Sequence, residues 1–168
     1  MTRAKSAPGH PRRVRPEFPA EWHVPNDPRN WITWDHADGK LEKEEVYWVS
    51  TTRPDGRPHA APVWGIWTDC AFYFETDPQS VKGVNLARNP NVVVHLQDGN
   101  DTVIVHGRAS VERSASKLKA LQGSYTKKYE YTPDWSGGSG QVVYRVAPRV
   151  AHAWKNPRMH RSLVKFLF

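Results

Sequence analysis

Thr76, Ser80, Lys82 and Asn85 follow one another closely where an apolar run ends, and together their types suit the holding of a phosphate. Hydroxyls, an ammonium and free backbone N–H groups at a helix start supply the donors and positive charge that an oxyanion needs. Taken singly, each has a plainer role, Ser80 as an N-cap and Lys82 as a solvated cation. The elements that would position them are legible upstream. Val46, Trp48, Ser50 and Thr52 alternate with Tyr47, Val49 and Thr51, all residues that suit a pleated surface. Pro54-Asp55-Gly56 supplies a hairpin turn, because proline presets φ at the first turn position while Asp and Gly tolerate the rest of the reversal. A second turn at Thr68-Asp69 leads into Ala71-Phe72-Tyr73-Phe74. This pattern predicts a three-stranded meander, then a short helix from Ser80 to Arg88 that Asn89-Pro90 closes.

On either side the pattern continues. Residues 1–30 are basic and rich in proline, which predicts an extended or disordered extension. Thr33 is placed to cap a helix on which Trp34, Ala37 and Leu41 repeat at helical spacing, although Gly39 weakens it. Beyond the organising stretch come a buried strand Val92–Leu96, a hairpin loop over Asp98–Asp101 and a returning strand Thr102–Ala109. Gly107 inside that strand signals a bulge or a close backbone approach. Ser114 opens a helix carrying Leu118, Leu121 and Tyr125, and residues 135–140 read as a flexible loop. Val142–Val146 reads as a last strand, followed by Pro148 and an extended Val150–Trp154, and residues 156–168 as a solvated basic tail.

The net charge of +7 and pI near 9.7 suggest nucleic acid only until the charges are located. Arg3, Lys5, Arg12, Arg13 and Arg15 at the start and Lys155, Arg158, Arg161 and Lys165 at the end leave residues 17–154 at −2. The basicity therefore lies in the two ends, and no nucleic-acid partner is expected. One cysteine, Cys70, permits no internal disulfide and fits a reducing cytosol. No apolar run is long enough for a membrane span, and the N-terminus has no signal-peptide core. Eight histidines include no HExxH spacing, and no metal site is expected. No nucleophile elbow or P-loop is present, and no catalytic acid or base can be assigned.

In their order and spacing, several segments resemble the pyridoxamine 5′-phosphate oxidase-like flavin and deazaflavin oxidoreductases, the split β-barrel superfamily. They are Thr51-Thr52-Arg53-Pro54-Asp55-Gly56-Arg57-Pro58-His59, Ala61-Pro62-Val63-Trp64, Phe72-Tyr73-Phe74-Glu75-Thr76 and Ser80-Val81-Lys82-Gly83-Val84-Asn85-Leu86, then Asn89-Pro90-Asn91-Val92 and Val105-His106-Gly107-Arg108-Ala109. The resemblance runs from about Thr33 to Trp154 and is greatest to the actinobacterial branch that uses coenzyme F420. It implies a mainly β (α+β) fold, a six-stranded antiparallel split β-barrel of the FMN-binding kind with short peripheral helices, over residues 31–155. A closed barrel would also remove the exposed strand edges.

The resemblance further implies a cytoplasmic homodimer with the cofactor at the subunit interface. Thr76, Ser80, Lys82 and Asn85 would hold its phosphate, and backbone around Ala61, Pro62, Val63 and Trp64 would face its ring system. Trp154, reaching over from the second subunit, would cover the tricycle, with Gln97, Tyr125, Lys128 and Tyr129 as secondary contacts. The function implied is an F420-dependent oxidoreductase that transfers hydride from reduced deazaflavin to a small organic acceptor. An FMN-dependent oxidoreductase or flavin reductase on the same fold is the alternative, as is a non-catalytic flavin, deazaflavin or haem binding protein. The chain lacks the C-terminal Arg-Leu-His-Asp-Arg type run of pyridoxamine-phosphate oxidases proper and has Val150-Ala151-His152-Ala153-Trp154 instead, which counts against vitamin B6 oxidation.

Overall fold

A computed structural model describes residues 10–136 and 138–168; Arg3 and Lys5 of the basic extension and Gly137 of the 135–140 loop lie outside them. In chain order the elements are β1 (Arg12–Val14), α1 (Trp34–Lys43), β2 (Val46–Thr52), β3 (Pro58–Trp64), β4 (Ile66–Thr68), β5 (Ala71–Thr76), α2 (Val81–Arg88), β6 (Asn91–His95), β7 (Asp101–Val111), α3 (Ala115–Tyr129), β8 (Val142–Lys155), α4 (Met159–Ser162) and β9 (Val164–Leu167). A single 3₁₀ turn, Ala20–Trp22, precedes α1. The caps form where the sequence places them: Thr33, Ser80 and Ser114 each accept a hydrogen bond from the N–H three residues on. Gly39 does not interrupt α1, whose buried face is Trp34, Ala37 and Leu41.

The strands form an antiparallel sheet in the order β1-β9-β8-β7-β6-β2-β3, and β5 joins it by pairing with β8 and β4. Alternation along β2 turns Tyr47, Val49 and Thr51 inward, where Tyr47, Phe72, Phe74, Phe166, Val94, Val105 and Val146 fill the core. Each such large apolar side chain contributes about 1.5–3 kcal/mol on burial. A second, smaller cluster joins Leu121 and Tyr125 of α3 to Ile66, Ala71, Tyr73 and Val143.

The architecture is consistent with the split β-barrel, with nine strands among the described residues rather than six. The three extra ones are β1 and β9 from the chain ends, and β4, which the chain separates from β3 at Gly65. The hydrogen bonding does not close into a ring, which corrects the expectation of a closed barrel. β3 pairs with β2, whereas β4 pairs with β5, so the two strands part company and β3 is left as a terminal strand. The bend between them needs glycine. A Cβ at residue 65 would lie 2.4 Å from ring carbons of Phe72 and 2.6 Å from the Tyr73 carbonyl oxygen.

Two more expectations change at the C-terminal end. Val142–Val146 and Val150–Trp154 belong to one 14-residue strand that runs through Pro148. One edge of β8 is shared by β5 over residues 142–146 and β9 over residues 150–153, so proline's missing donor falls between two partners. Opposite it, β7 shifts register between His106 and Gly107, the bulge that Gly107 signals. Residues 156–168 are not a solvated tail, because β9 pairs with both β8 and β1 and buries Val164 and Phe166 completely. In the described part of the N-terminal extension, Arg12–Val14 pairs with β9.

Candidate functional site

The end of β5 and the start of α2 hold the predicted phosphate residues in one place. Thr76, the last residue of β5, is buried, and its Oγ1 lies 3.0 Å from the Ser80 Oγ. Ser80 caps α2 by accepting from the Gly83 N–H at 3.2 Å. Gly83 lets the helix begin against the preceding turn, since a Cβ there would sit 2.5 Å from the Asp77 carbonyl oxygen. Lys82 and Asn85 are three residues apart and share a helix face. Asn85 is 1% exposed, and its Nδ2 donates to Thr51 Oγ1 at 2.9 Å. Lys82 is half-buried, and among the described residues it makes no hydrogen bond or ion pair.

The sheet brings further groups to this corner from the Thr51–His59 segment. Thr51 of β2 pairs in register with His59 of β3, and its hydroxyl is 3.4 Å from His59 Nδ1. Burial, then the charges of Arg53 and Lys82, hold the His59 pKa below its ordinary value. Arg53 opens the β2–β3 turn, its N–H donating to the Arg57 carbonyl. The site thus joins cations from the hairpin and from α2 to hydroxyls from β2, β5 and the helix cap. A signal for Thr51 does exist in the sequence: it is a hydroxyl at the inward phase of β2, and a buried hydroxyl needs a partner.

Ala61, Pro62, Val63 and Trp64 lie on β3, opposite Val49, Trp48, Tyr47 and Val46 of β2. The other edge of β3 has no strand on it among the described residues, and α2 packs against both β2 and β3. Trp64 is 49% exposed and stacks on Tyr129, with centroids 4.9 Å apart and planes within 7°. The secondary candidates have other work. The Tyr129 hydroxyl donates to the Glu45 carbonyl at 2.7 Å and accepts the Gly65 N–H at 2.9 Å. Lys128 Nζ donates to the Tyr47 hydroxyl at 3.0 Å, the Gly65 carbonyl at 3.2 Å and the Glu42 carbonyl at 3.3 Å. Burial lowers the Lys128 pKa to about 8 and raises that of Tyr129 to about 12. Tyr125 is buried beneath α3, and Gln97 is exposed in the β6–β7 connection. Trp154 is half-buried on β8 opposite Thr102. It stands twelve residues along β8 from Val142, the partner of Thr76, or on the order of 40 Å of strand. Trp154 and the phosphate residues thus lie at opposite ends of β8 in register.

Other ionisable groups hold elements of the fold together. Among the described residues no group of three or more His, Cys, Asp or Glu is placed to hold a metal ion. Asp38 accepts the Trp67 indole N–H at 2.7 Å, and His36 meets the Asp101 carboxylate at 2.9 Å, tying α1 to the start of β7. Among the described residues no helix is long and apolar enough to cross a membrane.

The architecture is a split antiparallel barrel, with cations and hydroxyls gathered beside a terminal strand. The sequence profile of the pyridoxamine 5′-phosphate oxidase family matches residues 33–155, and the chain belongs to that family. No curated protein matches the chain. Solved structures resemble it in fold. A conserved hypothetical protein from Mycobacterium tuberculosis is 22% identical with a TM-score of 0.66, over 80% of this chain and 89% of that one. A protein described as an F420 reductase is 23% identical with a TM-score of 0.53, over 67% and 93%. A heme binding protein from Mycobacterium smegmatis is 17% identical with a TM-score of 0.63, over 78% and 56%. Oxidoreductases and heme binding proteins thus both stand among its likenesses.

Proposed function

We propose that this protein is an F420-dependent oxidoreductase of the cytoplasm, acting on a small organic acceptor. The observation that carries the reading is Lys82, a cation with no hydrogen bond or ion pair among the described residues, beside the paired hydroxyls of Thr76 and Ser80 and near β3, whose other edge carries no strand among those residues. That donor set fits a phosphate. Lys82, Thr76 and Ser80 bind it directly, and Asn85 positions Thr51 from behind. Ala61, Pro62, Val63 and Trp64 present backbone to the ring system, with Pro62 contributing no donor of its own. When bound, the reduced deazaflavin supplies a hydride, while the protein supplies binding and orientation. In this reading the working unit is a homodimer, in which Trp154 of a second copy covers the ring system.

FMN is the second reading, since a ribityl phosphate is common to both cofactors and the same residues would hold either. A side-by-side fluorescence titration of the purified protein with coenzyme F420 and with FMN, at moderate salt, separates the two. Tighter binding of F420 is expected. Tighter binding of FMN replaces the proposal with the flavin alternative, and binding of neither removes the site assignment.

A further inference from the structure

His59 is a third basic side chain at the same corner, and binding a phosphate does not by itself require it. We propose that His59 takes up a proton when a dianion binds between Arg53 and Lys82, so that the site grips its anion more tightly as pH falls; this rests on the phosphate reading of the site.

The geometry is built from three elements. Register places His59 of β3 opposite Thr51 of β2, two residues before Arg53. Asn85 of α2 reaches the same Thr51, which brings Lys82, one turn earlier on that helix, to the corner as well. The charged groups that act on His59 are Arg53 from the hairpin and Lys82 from α2; no carboxylate acts on it among the described residues. Its contact on β2, Thr51, is neutral. Thr51 Oγ1 accepts from Asn85, so its own O–H is free to point at Nδ1 of a neutral ring, whose N–H then sits on Nε2. Protonation adds an N–H at Nδ1, which the remaining lone pair on Thr51 Oγ1 can accept.

Without an anion, two fixed cations and partial burial oppose an imidazolium. A dianion held by those cations cancels their repulsion, and a third positive charge becomes favourable. Proton and anion then bind with positive coupling, which is reciprocal: whatever raises the His59 pKa on binding raises anion affinity at low pH by the same factor. For one linked proton the affinity changes by up to about tenfold per pH unit between the two pKa values.

Sulfate is the suitable probe, because it stays a dianion from pH 5 to 8 and contributes no titration of its own. The imidazole Cε1–H signals of the full chain are titrated by NMR with saturating sulfate and with chloride at matched ionic strength. His59→Asn assigns the signal, and Lys82→Ala tests the anion site itself. The expected result is a rise in the His59 pKa with sulfate, unmoved values for the other histidines, and sulfate affinity that falls from pH 5.5 to 7.5. In His59→Asn the affinity is expected to lose that pH dependence. Sulfate binding that Lys82→Ala abolishes, with His59 unmoved and affinity flat in pH, overturns the proton coupling and leaves the phosphate reading standing. Sulfate binding indifferent to Lys82→Ala, or no binding at pH 5.5, overturns both.

Discussion

Lys82 and Lys128 are both half-buried lysines, on helices that pack against β3 and β4 respectively, yet the chain treats their charges oppositely. Lys128 spends its N–H groups on three internal acceptors and lies over the rings of Tyr47 and Tyr129, with Nζ 5.0 and 5.4 Å from their centroids. It binds α3 to the Gly65 bend and to the C-terminal end of α1. Lys82 has neither hydrogen bond nor ion pair among the described residues and faces a corner that holds two more basic groups. An internally satisfied cation holds the fold, whereas an unsatisfied one is available to a ligand. Position in the sequence says nothing of the difference; the acceptors around each ammonium decide it.

The comparison breaks first at the bend. Gly65→Ala forces a methyl group into Phe72 and the Tyr73 carbonyl, and a loss of about 3 kcal/mol or more is expected in a urea melt, overpacking of this kind costing about 1–3 kcal/mol at ordinary sites. An unchanged midpoint would show that β3 and β4 can separate without the glycine. On the other side of the comparison, Asn85→Ala strips the donor from buried Thr51, with an expected loss of about 1–3 kcal/mol in the same assay. Ser80→Ala removes the α2 cap and is expected to cost about 1 kcal/mol.

A further effect is in pH. The Lys128 pKa of about 8 lies below that of the unfolded chain, about 10.4, so the unfolded state binds more protons between those values. Lys128 therefore makes stability rise as pH increases from about 8, and in Lys128→Met that rise is expected to vanish. Tyr129, raised to about 12, works in the opposite sense above pH 10, where the unfolded chain loses a phenolic proton that the folded one keeps. Melts of both proteins at pH 7, 8.5 and 9.5 measure the contribution. Parallel curves would mean that the three acceptors hold Lys128 at its ordinary pKa.

Local chemistry makes much of this fold legible. Pro54-Asp55-Gly56, the caps at Thr33, Ser80 and Ser114, and the bulge at Gly107 each declare themselves within a few residues. β9 does not, because Arg158, Arg161 and Lys165 mask a four-residue alternation in which only Val164 and Phe166 turn inward. Pro148 hides the continuity of β8, because the handover of that strand's edge from β5 to β9 is a tertiary fact. At the site, Thr76, Ser80, Lys82 and Asn85 lie close together in the chain and can be read as a group. Thr51 and Arg53 join them through tertiary structure, the Asn85–Thr51 hydrogen bond and the pairing of β2 with β3, and the acceptors of Lys128 lie 63 to 86 residues away in the chain.

The most direct test of the difference between the two lysines is the affinity of Lys82→Ala for the cofactor, F420 or FMN, that binds the wild-type protein, followed by fluorescence alongside a urea melt. The expected result is binding weaker by roughly 1.5–3 kcal/mol, the worth of a hydrogen bond to a charged group, with stability within about 0.5 kcal/mol of wild type. Unchanged affinity would contradict the assignment of Lys82 to the phosphate, and a large loss of stability would make it a structural lysine like Lys128.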